Sequence, residues 1–555
     1  MAEAADDWLP VDAVRPLLLD DPALVWLEHH GAAHGYAPAH SPYDFPDFLA
    51  ELSARFKARW AQAMAPDAPL VCRSPDEARD RAKALETVAL LRRREPVILQ
   101  PALWWPPERL YGMPDAVVQA RWLVERYPGL LDRLMDLPEA VYLVLKLKFA
   151  AEVEDAGQER QVLEAELLLH SFMLGHLQRA MPPAALLITR DRVMDPQLVP
   201  VPAALDGPLP PALDRLRSTF AEIRTRGDRY TPWTDPIVAA NLSHADDTWQ
   251  PAKKHIATAR VPGGDPALLP WIGPKQKAQL AALGFPSLEA LLAVDPDQVP
   301  FERCTGLGDQ RRRCLRAILT AHRTGRPLPP PPSLVPRRRP FEFFVDLEYL
   351  TNLHVDFDAQ WPTLEGCEMI FMVGVGWLEE EAWQFQVFIA PQETHAAERE
   401  ALEAFLAFLD RRTGGAYLDP AATALYHWTA AEQWQSRAAA DRHGLPPDHP
   451  LRRLPWLDLA AEVAYRAPIA VPGAWNYKLK AVARALGQLD PAYDPRWPGD
   501  LDQGKRAMVM GWKAYQAADP LTSPEMALLT DYLAADCRAV AHILRWMRRA
   551  ASSAE

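Results

Sequence analysis

Three short stretches after residue 340 hold side chains that could do chemistry together. "FFVDLEYL" (343–350) carries Asp346 and Glu348 two positions apart. "YHWTAAEQW" (426–434) carries His427 and, five positions on, Glu432. "DYLAADCRAV" (531–540) carries Tyr532 and Asp536 four positions apart. On a strand, residues i and i+2 project to one face. Asp346 and Glu348 therefore point together from a run otherwise made of Phe343, Phe344, Val345 and Leu347. Burying two carboxylates is costly unless a cation or a partner holds them. On a helix, i and i+4 share a face, which pairs Tyr532 with Asp536. Hard divalent cations prefer carboxylate oxygens. Holding such a cation is the chemistry these residue types allow. Each stretch also has a plainer reading. "TAAE" (429–432) is a capping box, with Thr429 as N-cap and Glu432 closing back on the first turn. His427 reads as a polar strand end, and Tyr532 with Asp536 as a packed tyrosine and an ordinary helix acid. "WLDLAAEV" (456–463) adds Asp458, which reads equally as an acid supporting the other four or as a structural one.

The elements that must position these groups follow from periodicity. "FEFFVDLEYL", "CEMIFMVGVGWL" and "AWQFQVFIA" read as three consecutive antiparallel strands. Leu402, Phe405, Leu406 and Leu409 fall on one face of a helix over 394–412. A strand "ATALYHW", a helix "TAAEQWQSRAAADRHG" ending at Gly444, the short run around Asp458 and further helices complete the domain. The fold class expected is α/β multidomain.

Three strands, helix, strand, helix is similar to the order of an RNase H-like fold. The three acidic stretches resemble, in order and spacing, the motifs of the tyrosine-type DEDD exonucleases, and more narrowly those RNase H-like domains that accompany RecB-like domains in bacterial proteins. The resemblance covers 341–550. Asp346 and Glu348 match the first motif, Glu432 the acid of the second, and Tyr532 with Asp536 the third. Where the family has aspartate preceded by an aromatic residue and, five back, asparagine, this chain has Glu432, Ala431 and His427. The resemblance implies two Mg²⁺ or Mn²⁺ ions bridged by Asp346, with Glu348, Glu432 and Asp536 completing the set. It further implies that Tyr532 orients the attacking water and that Glu348 meets the terminal 3′-hydroxyl. Removal of nucleotides from a 3′ end is the activity implied. "AWNYKLKAVARAL" (474–486) offers Lys478 and Lys480 either to a substrate phosphate or to solvent at a helix start.

Two more regions bear on substrate. "LPWIGPKQKAQLAALGF" (269–285) and "CTGLGDQRRRCLRAIL" (304–319) resemble tandem helix-hairpin-helix motifs, which touch phosphate and not bases. The second sets Gly306 and Gly308 before Arg311, Arg312 and Arg313, so that backbone amides can approach a phosphate at a helix start. The first offers Gly273 and Lys275 but has Trp271 where the pattern has glycine. A small helical docking module is the plain alternative. In the amino-terminal half, "RLYGMPDAVV", "AVYLVLKLKF" and the helix "RQVLEAELLLHSFMLGHLQ" resemble the core of RecB-like PD-(D/E)XK nucleases. Asp115 and Lys148 match that pattern, the acid position holds Lys146, and Glu166 stands where glutamine is expected. An ammonium there cannot ligate a metal, so this domain reads as an inactive copy of the fold.

Composition bounds the rest. A chain of 555 residues is too long for one core. The expected division is 1–230 (RecB-like), 231–325 (helix-hairpin-helix), a proline-rich spacer at 326–340, and 341–550 (RNase H-like). Five cysteines lie far apart, without the spacing of a zinc or iron–sulfur site, and read as reduced thiols. No apolar run reaches the roughly 20 residues a membrane span needs. "MAEAADDWLP" lacks the basic and apolar regions of a signal peptide, so a cytoplasmic location is expected. The net charge of −13 argues against non-specific binding to a polyanion, though "RRR" at 311–313 and 337–339 concentrates basic charge locally. Nucleic acid is the expected partner, DNA ahead of RNA. A non-catalytic scaffold of decayed nuclease folds and an RNase H-like endonuclease remain open alternatives.

Overall fold

A computed structural model describes residues 8–19, 21–130, 141–150, 157–201, 241–242, 248–498 and 504–553, with single turns at 214, 216–219 and 222–223. The boundary expected near 230 lies outside the described residues. The chain is mixed α/β and forms two compact units. One comprises Met1–Ala39, Pro46–Lys253 and Val355–Glu365; the other His40–Phe45, Lys254–His354 and Gly366–Glu555. No helix among the described residues is long and apolar enough to cross a membrane. All five cysteines are unpaired.

The first unit is built on a five-stranded sheet. Its strands are β1 (Val97–Leu99), β2 (Ala116–Gln119), β3 (Tyr142–Lys148), β4 (Ala184–Thr189) and β5 (Gln197–Pro200), in that spatial order. Only β3 and β4 run parallel. Helix α1 (Phe45–Met64) buries Phe48, Leu52, Phe56 and Trp60 at helical spacing. Helix α2 (Gln158–Gln178) packs against β3 and carries Glu166 and His170.

The second unit begins with the hairpin helices α3 (Pro274–Ala282) and α4 (Asp309–Thr324). It continues into a sheet of β6 (Phe341–Leu350), β7 (Met369–Glu379), β8 (Ala382–Ile389), β9 (Thr423–His427) and β10 (Trp456–Asp458). The spatial order is β8-β7-β6-β9-β10: the first three strands are antiparallel, and β9 and β10 lie parallel to β6. The alternation expected for β6 divides its residues between two cores. Phe343, Val345 and Leu347 face helix α5 (His395–Thr413) and pack with Leu402, Phe405, Leu406 and Leu409. Phe344 belongs to the opposite core, so Asp346 and Glu348 project to that side. That second core is closed by α7 (Leu479–Leu489) and α9 (Pro524–Ser552), with α8 (Gly504–Tyr515) beside α9.

Helix ends are fixed by side chains the sequence supplies. Thr394 Oγ1 accepts from the Ala397 amide at the start of α5, and Gly414 at φ 61° ends it. Ser523 Oγ accepts from the Met526 amide at the start of α9, with Pro524 in the first turn. The proline-rich segment departs from expectation. It is not a spacer between separate bodies, because Leu280, Leu315 and Leu319 of the hairpin helices share one core with Tyr426, Val482 and Ile543. Leu328 forms an isolated bridge with Ala470, and the Arg548 guanidinium donates to the Pro336 carbonyl at 3.1 Å. Proline excludes this segment from regular structure, but burial on both sides ties it down as a strap.

Candidate active site

The structure brings all four predicted acids, and Tyr532, to one place. Asp346 and Glu348 leave β6 on the face that α9 covers. Opposite Asp346 in the β6–β7 register stands Gly374, where an added Cβ would come within 2.7 Å of the Leu533 side chain. The missing side chain lets α9 sit close to the sheet, and Tyr532 and Asp536 arrive with it, both buried. Glu432 enters from the β9–α6 junction, where α6 spans Ala431–Arg442. The far end of α6 is anchored by Arg442, which donates to the fully buried Glu398 carboxylate of α5 at 2.7 and 3.0 Å.

The capping box expected at Thr429 does not form. Thr429 takes φ 117°, α6 starts two residues later, and no side chain caps it at Ala430. The Glu432 carboxyl is thereby released from its helix. It accepts a hydrogen bond from His427 Nδ1 at 3.0 Å and shares another with the Asp346 carboxyl. Burial, then Asp536, Glu432 and Glu348, lift Asp346 well above the usual carboxylate range. Burial, with Asp536 and Glu432 outweighing Lys480, pushes Glu348 up to about 8. Burial also raises Asp536, against the relief it receives from Lys480, Trp497 and Tyr532.

Asp458 is structural. It is the register partner of His427 across β9 and β10, and its Oδ1 accepts the amides of Ala461 at 2.9 Å and Thr429 at 3.2 Å. It thus shapes the turn between His427 and Glu432. One neighbour escaped the sequence reading: the Trp497 indole donates to Asp536 Oδ1 at 2.6 Å, and nothing in its loop sequence marks it. Lys480, readable from sequence either as a phosphate contact or as a solvated residue at a helix start, sends its ammonium to the Tyr532 hydroxyl at 2.7 Å. Lys478 is exposed at the N-cap of α7.

The buried carboxylates of Glu348, Glu432 and Asp536 and the half-buried Asp346 form a hard-oxygen donor set whose mutual repulsion a divalent cation would relieve, so the residues fit such ions. Among the described residues, no three of the four close to within 4.8 Å of one another at their ligand atoms. The ion-free acids therefore do not form a closed ligand shell, and a bound ion would have to draw them closer together.

The hairpin module presents two different turns. Gly306 (φ 79°) and Trp271 (φ 62°) take the same left-handed place ahead of α4 and α3. Glycine holds that conformation without strain; an L side chain does not. The Trp271 ring is repaid by stacking on Tyr477 at 6.3 Å and 22°, with the Arg311 guanidinium 5.8 Å above it. The amide of Gly273 is taken by Gln276 Oε1 at 3.2 Å. A Cβ at Gly308 would meet nothing within 4 Å, so the second turn is open, with Arg311 and Arg313 exposed on its helix and Lys275 exposed on the first. Arg312 is paired with Asp309.

In the first unit an ammonium sits among acids. Lys146 Nζ lies 3.0 Å from Glu166, and Lys57 Nζ lies 2.7 Å from Asp115, whose other oxygen accepts the Leu147 amide at 2.7 Å. Burial works against the Lys146 cation, but Glu166, Asp115 and Asp12 outweigh it and hold its pKa above the ordinary value. Lys148 is drawn to Glu159 at 3.8 Å. These residues do not fit a divalent ion, because a cation is already built in. Lys146→Met should destabilise this unit by about 3–5 kcal/mol, since it leaves the buried Glu166 carboxylate without its cation; chemical denaturation would measure the loss.

No family model matches the chain, and neither a curated protein nor a solved structure does.

Proposed function

We propose that this chain is a metal-dependent nuclease whose active centre is the acid cluster of the second unit, acting as a 3′–5′ exonuclease. The supporting observation is the convergence of Asp346, Glu348, Glu432 and Asp536, from a strand, a strand–helix junction and a late helix, around Tyr532. The strand order β8-β7-β6-β9-β10, two parallel strands added to an antiparallel three, supports the RNase H-like reading.

In this reading Asp346, Glu348, Glu432 and Asp536 hold two Mg²⁺ or Mn²⁺ ions, which supply a hydroxide-like nucleophile and neutralise charge on the leaving oxygen. The chain's own groups do the rest. His427 holds the Glu432 carboxylate through Nδ1, Trp497 holds that of Asp536, and the Tyr532 hydroxyl directs the attacking water. The open Gly306–Gly308 turn and its arginines grip the substrate backbone through phosphate contacts that DNA and RNA share.

The test is a comparison of substrates with Mn²⁺. A 3′-end-labelled single strand should release labelled mononucleotide while a circular strand stays intact. Cutting of the circle would instead mark an endonuclease. Tight low-salt binding without any hydrolysis would mark a scaffold, a reading favoured by the ammonium of Lys146 in the first unit.

A further inference from the structure

Lys480 is the second residue of α7, and its surroundings do not resemble those of a residue reaching out to a phosphate. Its Nζ lies 4.0 Å from the centroid of the Tyr532 ring and donates to the Tyr532 hydroxyl at 2.7 Å. Tyr532 in turn donates to Asp536, which also receives the Trp497 indole. Glu348 and Asp536 both feel the Lys480 charge. A directed chain results: Lys480 to Tyr532, Tyr532 to Asp536, with Trp497 closing on the same carboxylate. A phenol has one hydrogen and two lone-pair directions. Here the hydrogen is committed to Asp536 and one lone pair to Lys480. One acceptor direction remains.

We infer that Lys480 is a positioning residue of the active centre, acting through Tyr532 by fixing the one direction in which its hydroxyl can accept a hydrogen bond from the attacking water. The inference rests on the nuclease reading and revises the role of Lys480 from substrate contact to part of the reacting centre.

A phosphate clamp and a positioning residue fail differently. Loss of a clamp raises KM and leaves kcat; loss of positioning lowers kcat. Lys480→Met should therefore lower kcat about 10- to 100-fold, the cost of a misdirected reacting group, with KM within about twofold of wild type. In a Tyr532→Phe background the same substitution should cost less than about threefold, because residues acting as one unit are not additive. Lys480→Arg keeps a charge for phosphate, but its longer planar head does not reproduce the contact with the phenol, so it should fall with Lys480→Met. A readout independent of turnover is the affinity for a fluorescein-labelled single strand in Ca²⁺, expected to be unchanged in Lys480→Met. A rise in KM at constant kcat, rescue by arginine, equal cost in both backgrounds, or a tenfold loss of strand affinity would each overturn the inference while leaving the nuclease reading intact. A wild type inert with both Mg²⁺ and Mn²⁺ would overturn the two together.

Discussion

Asp346→Asn should abolish strand hydrolysis, by at least about 10³-fold, and should at the same time make the ion-free protein more stable. Both halves follow from one location. Asp346 is the member of the cluster that feels all three of the others, and it shares a hydrogen bond with Glu432. In the nuclease reading it would be the ligand common to both ions. An amide offers one neutral oxygen where two charged ones stood, so a shared ligand is lost. Without ions, however, the carboxylate is a liability: burial and three neighbouring acids oppose its charge. Removing that opposition should raise ion-free stability. Hydrolysis of an end-labelled strand in Mn²⁺ and urea denaturation in chelator measure the two effects. Undiminished hydrolysis would place the chemistry elsewhere. Lost activity together with lost stability would mean that Asp346 serves the fold.

Much of this was legible because strand alternation is insensitive to tertiary context. The i, i+2 spacing put Asp346 and Glu348 on one face, and the apolar residues between them could only pack on the other. The i, i+4 spacing of Tyr532 and Asp536 held for the same reason. Glu432 was harder, since "TAAE" satisfies a local rule that would have used its carboxyl up. The rule yielded because Asp458, from a parallel strand, takes the Thr429 amide and bends the turn, and His427 offers Glu432 a buried partner. The Asp458 contact is non-local, so no window of sequence contains it, whereas His427 lies in the same short stretch as Glu432. Lys480 and Tyr532 are 52 residues apart and meet only because α7 and α9 pack side by side. Trp271 illustrates the opposite case. Its departure from the glycine pattern was visible, but its purpose, stacking on Tyr477 to seat the hairpin module on the same core as the acids, needed the fold.

The ion-free protein should lose stability as pH rises from about 5 to 8, and Mn²⁺ should reverse that slope. Glu348 has its pKa pushed up to about 8 by burial and by Asp536, against about 4.3 for a glutamate in an unfolded chain. A carboxyl raised in the folded state binds its proton more tightly there than when unfolded. Its stabilising contribution is complete below the unfolded value and disappears as pH climbs through the folded one. Asp346 and Asp536 are raised too and add in the same direction. The ion-free melting temperature should therefore be highest near pH 5 and several degrees lower at pH 8, a loss of a few kcal/mol at about 2–4 °C each. Divalent ions replace the protons. They must displace them at low pH and find bare carboxylates at high pH, so affinity rises with pH. At a hundredfold excess over Kd the gain is about 2.7 kcal/mol, enough to offset most of the decline. Thermal melts from pH 5 to 8, in chelator and in Mn²⁺, test both slopes, and Asp346→Asn is the control in which the Mn²⁺ effect should shrink while the decline set by Glu348 persists in chelator. A Mn²⁺ effect equal at pH 5 and pH 8, or one that persists undiminished in that variant, would show that the ions bind somewhere other than this cluster.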